Sequence, residues 1–186
     1  MPLSHIPASI ETILSHKACG SLIRHWLRQS DINKPPSKSQ LDPLEFWSAL
    51  PDISIHIYAP ELNDYKMYLA GDHISGLDAL DKKGITLRDS YQYHSPHIAD
   101  VIIEKWNEAR STNKCLITFR DLEQAGQKKS SLRCILPLVE PEAILCFTIY
   151  GYDAEHAHKT LHRNQDDYRN ESYSKDELMH LINLSE

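Results

Sequence analysis

Apolar residues follow a helical period at the start of this chain. They recur at steps of three and four residues, which predicts one amphipathic helix over about residues 9–29. Gly20 lies within this segment and costs about 1 kcal/mol relative to alanine in a helix, so the pattern leaves open a break there. The apolar face needs a partner surface. It consists of Ile10, Ile13, Leu14, Ala18, Leu22, Trp26 and Leu27.

A polar segment and a short helix follow. Residues 31–40 contain two prolines and no apolar periodicity, which indicates a linker. Asp42 precedes Pro43, which is an N-cap residue followed by proline at the first helical position. A short helix is therefore predicted to begin there and to end at Pro51.

Strict alternation of apolar and polar residues comes next. Ile53, Ile55 and Ile57 alternate with polar or aromatic neighbours, and positions 65–69 repeat the pattern. Both runs are predicted to be strands with one apolar face. The turn chemistry of residues 59–64 predicts that the two strands pair as an antiparallel hairpin.

The second half of the chain is predicted to form a helix and a meander. A serine–proline step and apolar residues at helical spacing predict a helix over residues 95–110. Three strand-like runs follow at 115–121, 130–138 and 143–150, with polar or proline-containing turns between them. We expect these runs to pair as antiparallel strands.

The C-terminal part has a different composition. Large aliphatic residues nearly vanish after residue 152, which indicates a solvated helix or a mobile arm. Ser174 and Glu177 form a capping-box pattern, and Leu178 and Leu181 follow it in a short terminal helix able to dock on the body or on another subunit. The predicted parts are an N-terminal helix and linker (1–40), a central domain (41–152) and an acidic tail (153–186).

Composition and charge restrict the class of protein. The 186 residues are 41% hydrophobic and 25% charged, as in an ordinary folded globular chain. The formal net charge of −6 argues against a nucleic-acid partner, because phosphate binding needs a concentrated basic face. No apolar run approaches the ~20 residues that span a bilayer, and the N-terminus lacks a signal-peptide pattern. A cytoplasmic protein with no membrane partner is predicted.

The sequence carries no recognisable catalytic motif. It has no Gly-x-Ser-x-Gly elbow, phosphate-binding loop, dinucleotide fingerprint or kinase signature, and its four cysteines form no CxxC pair. His158 and His162 lie one helical turn apart, close to His156, so these three are candidate metal ligands. No cysteine or carboxylate-rich motif completes the set. We therefore expect exposed histidines and no bound metal.

The element order and four local motifs resemble a known family. The motifs are Leu41-Asp42-Pro43, Leu50-Pro51, the 68–71 stretch YLAG and the 84–89 stretch GITLRD. Over roughly residues 20–150 they resemble the small stand-alone bacterial PAS-domain proteins. The resemblance implies an α+β fold, in which a PAS-like five-stranded antiparallel sheet of order 2-1-5-4-3 carries helices on one face. An N-terminal amphipathic helix and a C-terminal helical tail add to it.

The resemblance also implies a ligand pocket between the sheet and its helices. The alternative is that the same apolar residues simply pack a filled core. Transferred to this chain, the lining would be Ile55, Ile57, Met67, Leu69, Ile74, Leu77, Leu87, Val101, Ile102, Trp106, Ile117, Phe119, Leu136 and Phe147.

The sequence gives little support for binding of haem or flavin, the cofactors of some PAS proteins. His94 and His97 flank the start of the long helix, where haem-binding members can supply an axial histidine, but a histidine at a helix start is more often exposed. None of the cysteines lies in the Asn-Cys-Arg-Phe-Leu setting of the flavin-binding members. We expect no cofactor.

The expected function is sensing or signalling without an output domain of its own. Such a module would bind a small apolar or amphipathic ligand, contact a signalling protein, or both, and a homodimer through the N-terminal helix is expected. The alternative is a small α+β pocket enzyme that resembles ketosteroid isomerase, in which His56, Asp72 or His73 would converge with a tyrosine. The candidate interface residues are Ile13, Leu14, Leu22, Trp26 and Leu27.

Overall fold

The fold was analysed in a computed structural model, which describes residues 8–31, 34–75, 83–92, 96–124, 127–150 and 168–185. The helices are α1 (Ala8–Ser15), α2 (Lys17–Gln29), α3 (Asp72–Ser75), α4 (Leu87–Tyr91), α5 (Pro96–Thr112) and α6 (Lys175–Ser185), with 3₁₀ helices at Lys38–Gln40 and Pro43–Asp52. The strands are β1 (Ile53–Ala59), β2 (Asp64–Ala70), β3 (Cys115–Gln124), β4 (Gln127–Leu138), β5 (Ala143–Tyr150) and β6 (Tyr168–Tyr173).

The strands form one antiparallel sheet in the order β2-β1-β5-β4-β3-β6. This order contains the predicted order 2-1-5-4-3 and confirms the predicted hairpin and meander. β6 is an addition at the edge of β3 that the sequence did not predict, because the polar stretch YRNESY has no apolar alternation to mark it as a strand.

Two helical layers cover the two faces of the sheet. On the first, which we call the apolar face, residues such as Ile55, Ile117 and Leu145 pack against α1, α2 and α6. On the second, which we call the α5 face, residues such as Leu116 and Ile144 pack against α4 and α5. Because successive side chains of a strand point to opposite faces, these two sets interleave along each strand.

The N-terminal helix is broken, but not at Gly20. α1 ends at Ser15, and the ring of His16 caps α2 by accepting a hydrogen bond from the amide of Cys19 at 3.3 Å. A Cβ atom on Gly20 would lie 2.6 Å from the carbonyl oxygen of Leu14. Glycine therefore permits close packing of the two helices, and the break precedes it by four residues.

The predicted linker is packed against the sheet. Pro35, Pro36 and Ser37 are buried, and the amide of Val139 donates to the carbonyl of Pro36 at 3.0 Å. Ser37 also forms a bridge to Val139. The segment connects α2 to the second 3₁₀ helix and is held in place because the end of β4 provides backbone partners for it.

The five candidate interface residues belong to the core of a single chain. Ile13, Leu14, Leu22, Trp26 and Leu27 are all buried on the apolar face. The indole Nε1 of Trp26 donates to the carbonyl of Pro137 at 2.9 Å. The partner surface that the amphipathic helix requires is therefore the sheet of the same chain, which corrects their assignment to a dimer interface.

Two capping predictions are confirmed. The carboxylate of Asp42 accepts from the amide of Leu44 at 3.0 Å and starts the second 3₁₀ helix, which continues through Pro51 to Asp52. At the C-terminus, Glu177 accepts from the amide of Ser174 at 2.7 Å, and the hydroxyl of Ser174 accepts from the amide of Glu177 at 3.3 Å. This capping box opens α6, which docks on the body of the chain.

Candidate ligand-binding site

The residues predicted to line one pocket lie on both faces of the sheet. Leu87, Ile102 and Trp106 are buried on the α5 face, and Ile74 is buried in α3. Met67 is half-buried, Leu69 and Val101 are exposed, and Leu77 lies outside the described residues. The others lie on the apolar face, under α1, α2 and α6, and these are Ile55, Ile57, Ile117, Phe119, Leu136 and Phe147.

The predicted single pocket is therefore wrong, and the cause is physical. The alternation in β1 predicts one apolar face, and the resemblance places that face toward the helices that would line the pocket. In the structure Ile55 turns toward the N-terminal helices, whereas His56 turns toward α5 and is 5% exposed. Helices cover both faces of the sheet, so the polar residues that alternate with the isoleucines of β1 are also buried.

A group of buried polar side chains covers part of the α5 face. All buried polar residues of β1, β3, β4 and β5 in the described part of the chain lie on this face, and none lies on the apolar face. The strand register places them side by side, with Ser54 opposite Cys146 and Arg133 opposite Thr148. We call this group the polar floor. It consists of the buried residues Ser54, His56, Thr118, Ser131, Cys146 and Thr148, together with Arg133, which is half-buried with its Nε atom enclosed.

His56 of β1 is a neutral histidine in this group. Its Nε2 atom lies 3.0 Å from the hydroxyl of Ser54, while its Nδ1 atom is buried without a partner. Burial and the nearby charge of Arg133 lower the pKa of His56 to about 3. At neutral pH the ring is therefore uncharged and has an unused hydrogen-bonding nitrogen.

Arg133 brings a guanidinium to the same floor. Its Nη1 atom is 3.4 Å from the hydroxyl of Tyr91, and its Nε atom is enclosed without a hydrogen-bond partner. In the part of the chain that the structure describes, no aspartate or glutamate forms an ion pair with it. Arginine remains protonated in proteins, so the floor carries a positive charge.

Trp106 of α5 lies over His56. The two rings meet edge to face with centroids 4.9 Å apart, and the indole Nε1 is buried without a partner. On its other side, Trp106 meets the ring of Tyr65 at 5.1 Å. A buried polar group that lacks a hydrogen bond costs about 1–3 kcal/mol, so three such nitrogens in one layer indicate a place for a ligand or ordered water.

α4 is fixed to the hairpin, which determines the position of Tyr91 at its end. Asp64 of β2 is buried, and its carboxylate accepts from the amides of Tyr65 at 2.6 Å and Leu87 at 3.3 Å. Arg88 donates to Asp100 at 2.9 Å, which links α4 to α5. Asp64 gives no periodic signal in the sequence, so its role was missed.

The residues of the enzyme alternative do not converge. Asp72 and His73 are exposed in α3, where the Nδ1 atom of His73 lies 2.8 Å from the carboxylate of Asp52. His56 instead lies within the polar floor, next to Ser54. The arrangement of an acid, a base and a tyrosine around one cavity is not formed by these three side chains.

Most of the metal and haem candidates lie outside the described residues. These are His94, His156, His158 and His162. His97 is exposed in the first turn of α5. Within the described ranges, no cluster of three or more histidine, cysteine, aspartate or glutamate side chains has the geometry to hold a metal ion.

A separate open cleft of about 160 Å³ lies where the C-terminal ends of α2 and α5 meet the start of α6. Its lining is mixed, and the ammonium of Lys175 already donates to the carbonyl of Ser30. None of the buried unpartnered nitrogens of the described residues belongs to this lining. The polar floor is therefore the stronger candidate site.

Comparison with known proteins agrees with the fold. No helix among the described residues combines the length and apolarity that a membrane crossing requires. No curated protein and no solved structure matches the chain. A family model described as PAS domain matches residues 14–144, which is well over half of the 186 residues and includes α2, β1 to β4 and the polar floor up to Arg133. This chain therefore belongs to the PAS domain family.

Proposed function

We propose that this protein is a cytoplasmic PAS-type sensory module that binds a small ligand on the polar floor and signals through contact with another protein. The observation that carries this proposal is the group of unpartnered buried nitrogens of His56, Trp106 and Arg133 on the face that α5 covers. A ligand that supplies their missing hydrogen bonds would stabilise the folded state by mass action.

The geometry favours binding over catalysis. A histidine whose pKa is about 3 is a weak base at neutral pH, because an efficient general base has a pKa near the working pH. Asp72 and His73 lie on the surface and leave His56 without an acidic partner. A non-enzymatic role is therefore the better conclusion, and the ketosteroid-isomerase-like alternative loses its catalytic group.

Association would use a different surface from the N-terminal helix, whose apolar side chains are buried. The second 3₁₀ helix exposes Trp47 by 71% and Leu44 by 79%. Exposed tryptophan is enriched among the residues that dominate protein contacts. We include homodimerisation or contact with a signalling protein through this helix in the proposal.

Native mass spectrometry of the purified full chain tests the ligand. We expect a mass in excess of the sequence mass under non-denaturing conditions, and its loss on denaturation. Thr148→Val removes a hydroxyl of the polar floor at nearly constant volume and is expected to lower ligand occupancy. The matched control Thr112→Val, at an exposed position of α5, is expected to leave it unchanged. A bare chain that no fraction of a deproteinised cell extract stabilises against heat would contradict ligand sensing.

The same spectra report the oligomeric state. We expect Trp47→Ala to weaken association, because it removes the largest exposed apolar side chain of the second 3₁₀ helix. Met179→Ala, at an exposed position of α6, is the control. A monomer at every accessible concentration would contradict the proposed homodimer. Contact with a different protein would then be the remaining form of association.

A further inference from the structure

We propose that the ligand of the polar floor is a small organic monoanion whose carboxylate pairs with the guanidinium of Arg133. This inference rests on the proposed function and adds to it the chemical class of the ligand. It follows from the positive charge of the floor, from the absence of an aspartate or glutamate paired with it among the described residues and from the hydrogen-bonding groups around it.

The guanidinium has unused bonding capacity. Arg133 lies in the middle of β4, where its neighbours across the sheet are Thr118 on β3 and Thr148 on β5. Its enclosed Nε–H has no acceptor, and the contact of Nη1 with Tyr91 is long at 3.4 Å. A guanidinium presents parallel N–H donors that match the two oxygens of a carboxylate.

The described titratable neighbours of Arg133 do not supply a negative charge. Burial raises the pKa of Tyr150 to about 12 and raises the pKa of the Cys146 thiol, so both are neutral at physiological pH. His56 is also uncharged there. Arg133 is half-buried with its Nε atom enclosed, and removing part of a charge from water without a partner is costly. Among the described residues, no carboxylate pairs with its guanidinium. An anion from solution would offset that cost.

The charge balance selects the class of anion. A single guanidinium compensates one negative charge, so a carboxylate leaves the site neutral, whereas a phosphate dianion would bury an excess negative charge. The hydroxyls of Ser54 and Thr148 and the nitrogen of His56 provide further hydrogen-bonding groups on the same face. These neutral groups can orient an oxyanion without adding charge.

Isothermal titration of the full chain with matched carboxylates and amides tests this inference. The probes are acetate, hexanoate and benzoate, the corresponding neutral amides, and inorganic phosphate. We expect at least one carboxylate to bind the wild-type chain at least about tenfold more tightly than its amide, because the amide cannot form the charged pair. Equal affinity for carboxylate and amide, tighter binding of phosphate, or no binding of any carboxylate would overturn the inference.

Variants assign the effect to Arg133. Arg133→Gln is expected to weaken carboxylate binding by about tenfold or more, and Arg133→Lys to retain part of it because the charge remains. Arg28→Gln changes an exposed arginine that pairs with Glu45 and is expected to leave binding unchanged. Arg133→Lys keeps the test valid if the glutamine variant fails to fold. Carboxylate affinity that does not differ between wild type and both Arg133 variants would contradict the proposal.

The outcomes also separate this inference from the proposed function. A neutral compound that co-purifies with the chain and is lost in Thr148→Val would leave ligand sensing intact and exclude the carboxylate. A carboxylate that co-purifies and is lost in Arg133→Gln would support both. No ligand and no heat stabilisation by any extract fraction would contradict the function itself.

Discussion

The Nε2 atom of His56 lies 3.0 Å from the hydroxyl oxygen of Ser54, and both side chains are buried on the α5 face of β1. They are two positions apart along the strand, so they share one face of the sheet. This pair and Arg133 make the α5 face polar, whereas the described buried side chains that β1, β3, β4 and β5 place on the opposite face are apolar. The contrast between the two faces is the main structural reason to assign ligand binding to this side.

His56 predicts a loss of stability in mild acid. Its pKa is about 3 in the folded state and 6.5 in its unperturbed state, so between these values the unfolded chain binds one more proton. The free energy of unfolding therefore falls as the pH drops below 6.5, by about 1.4 kcal/mol per pH unit, and levels off below about 3. Urea denaturation at several pH values measures this slope.

The variant His56→Leu is expected to reduce the slope between pH 6.5 and about 5, whatever its effect on absolute stability. Some slope will remain, because burial also lowers the pKa of His25. Met179→Ala, at an exposed position and without a titratable group, is the control and should leave the slope unchanged. An unchanged slope in His56→Leu would mean that His56 is not held neutral in the fold.

We expect replacement of Gly71 and of Gly84 by alanine to lower the free energy of unfolding by different amounts. A Cβ atom on Gly71 would lie 2.0 Å from the carbonyl oxygen of Leu50, so Gly71→Ala forces the end of β2 away from the second 3₁₀ helix. Such overpacking costs about 1–3 kcal/mol or more. Gly84 has φ of +83° and nothing within 4 Å, so Gly84→Ala costs only backbone strain of about 1 kcal/mol. Thermal unfolding that ranks Gly84→Ala as the more damaging change would contradict this packing.

The burial of Trp26 indicates that the N-terminal helix is part of the cooperative folded unit. Trp26→Ala removes a fully buried side chain and leaves the carbonyl of Pro137 without its donor, so we expect a loss of about 3–5 kcal/mol. Trp47→Ala, at an exposed position, should change stability by no more than about 0.5 kcal/mol. Chemical denaturation followed by circular dichroism compares the two. Similar effects of both changes would place α2 outside the core.

The burial of Leu181 in the core indicates that the C-terminal helix stabilises the whole domain. Its side chain is buried in the same cluster as Ile13 of α1, and the hydroxyl of Ser9 donates to Glu171 of β6 at 2.6 Å. Leu181→Ala is therefore expected to cost about 2–5 kcal/mol in one cooperative transition. Met179→Ala is exposed and should be nearly neutral. A separate early transition in Leu181→Ala would show that α6 folds independently.

Local signals in the sequence were sufficient for much of the fold. The alternation around Ile55 and the turn after it predicted the hairpin, and the caps at Asp42 and Ser174 predicted where two helices begin. These signals involve neighbours within a few residues, so they do not depend on the rest of the molecule. The order of elements then indicated the PAS fold, which the family match confirms.

The site could not be predicted in the same way. Alternation shows that a strand has two faces, but it does not show what covers each of them. The N-terminal helices pack on the isoleucine face of β1, and His56 and Ser54 are buried on the opposite face, which α5 covers. β6 was also decided by tertiary structure, because the edge of β3 supplies backbone partners to a polar segment that has no strand pattern of its own.

The sequence by itself therefore determined the family, the elements from α1 to β5 and α6, and their order, since these depend on local periodicity and capping, whereas β6 carries no such signal. Only the tertiary structure decided that Trp26 packs in the core of its own chain and that Arg133 and His56 meet on one face. The physical reason is that burial and charge pairing depend on which distant surfaces come together, and each residue's neighbours along the chain do not fix that.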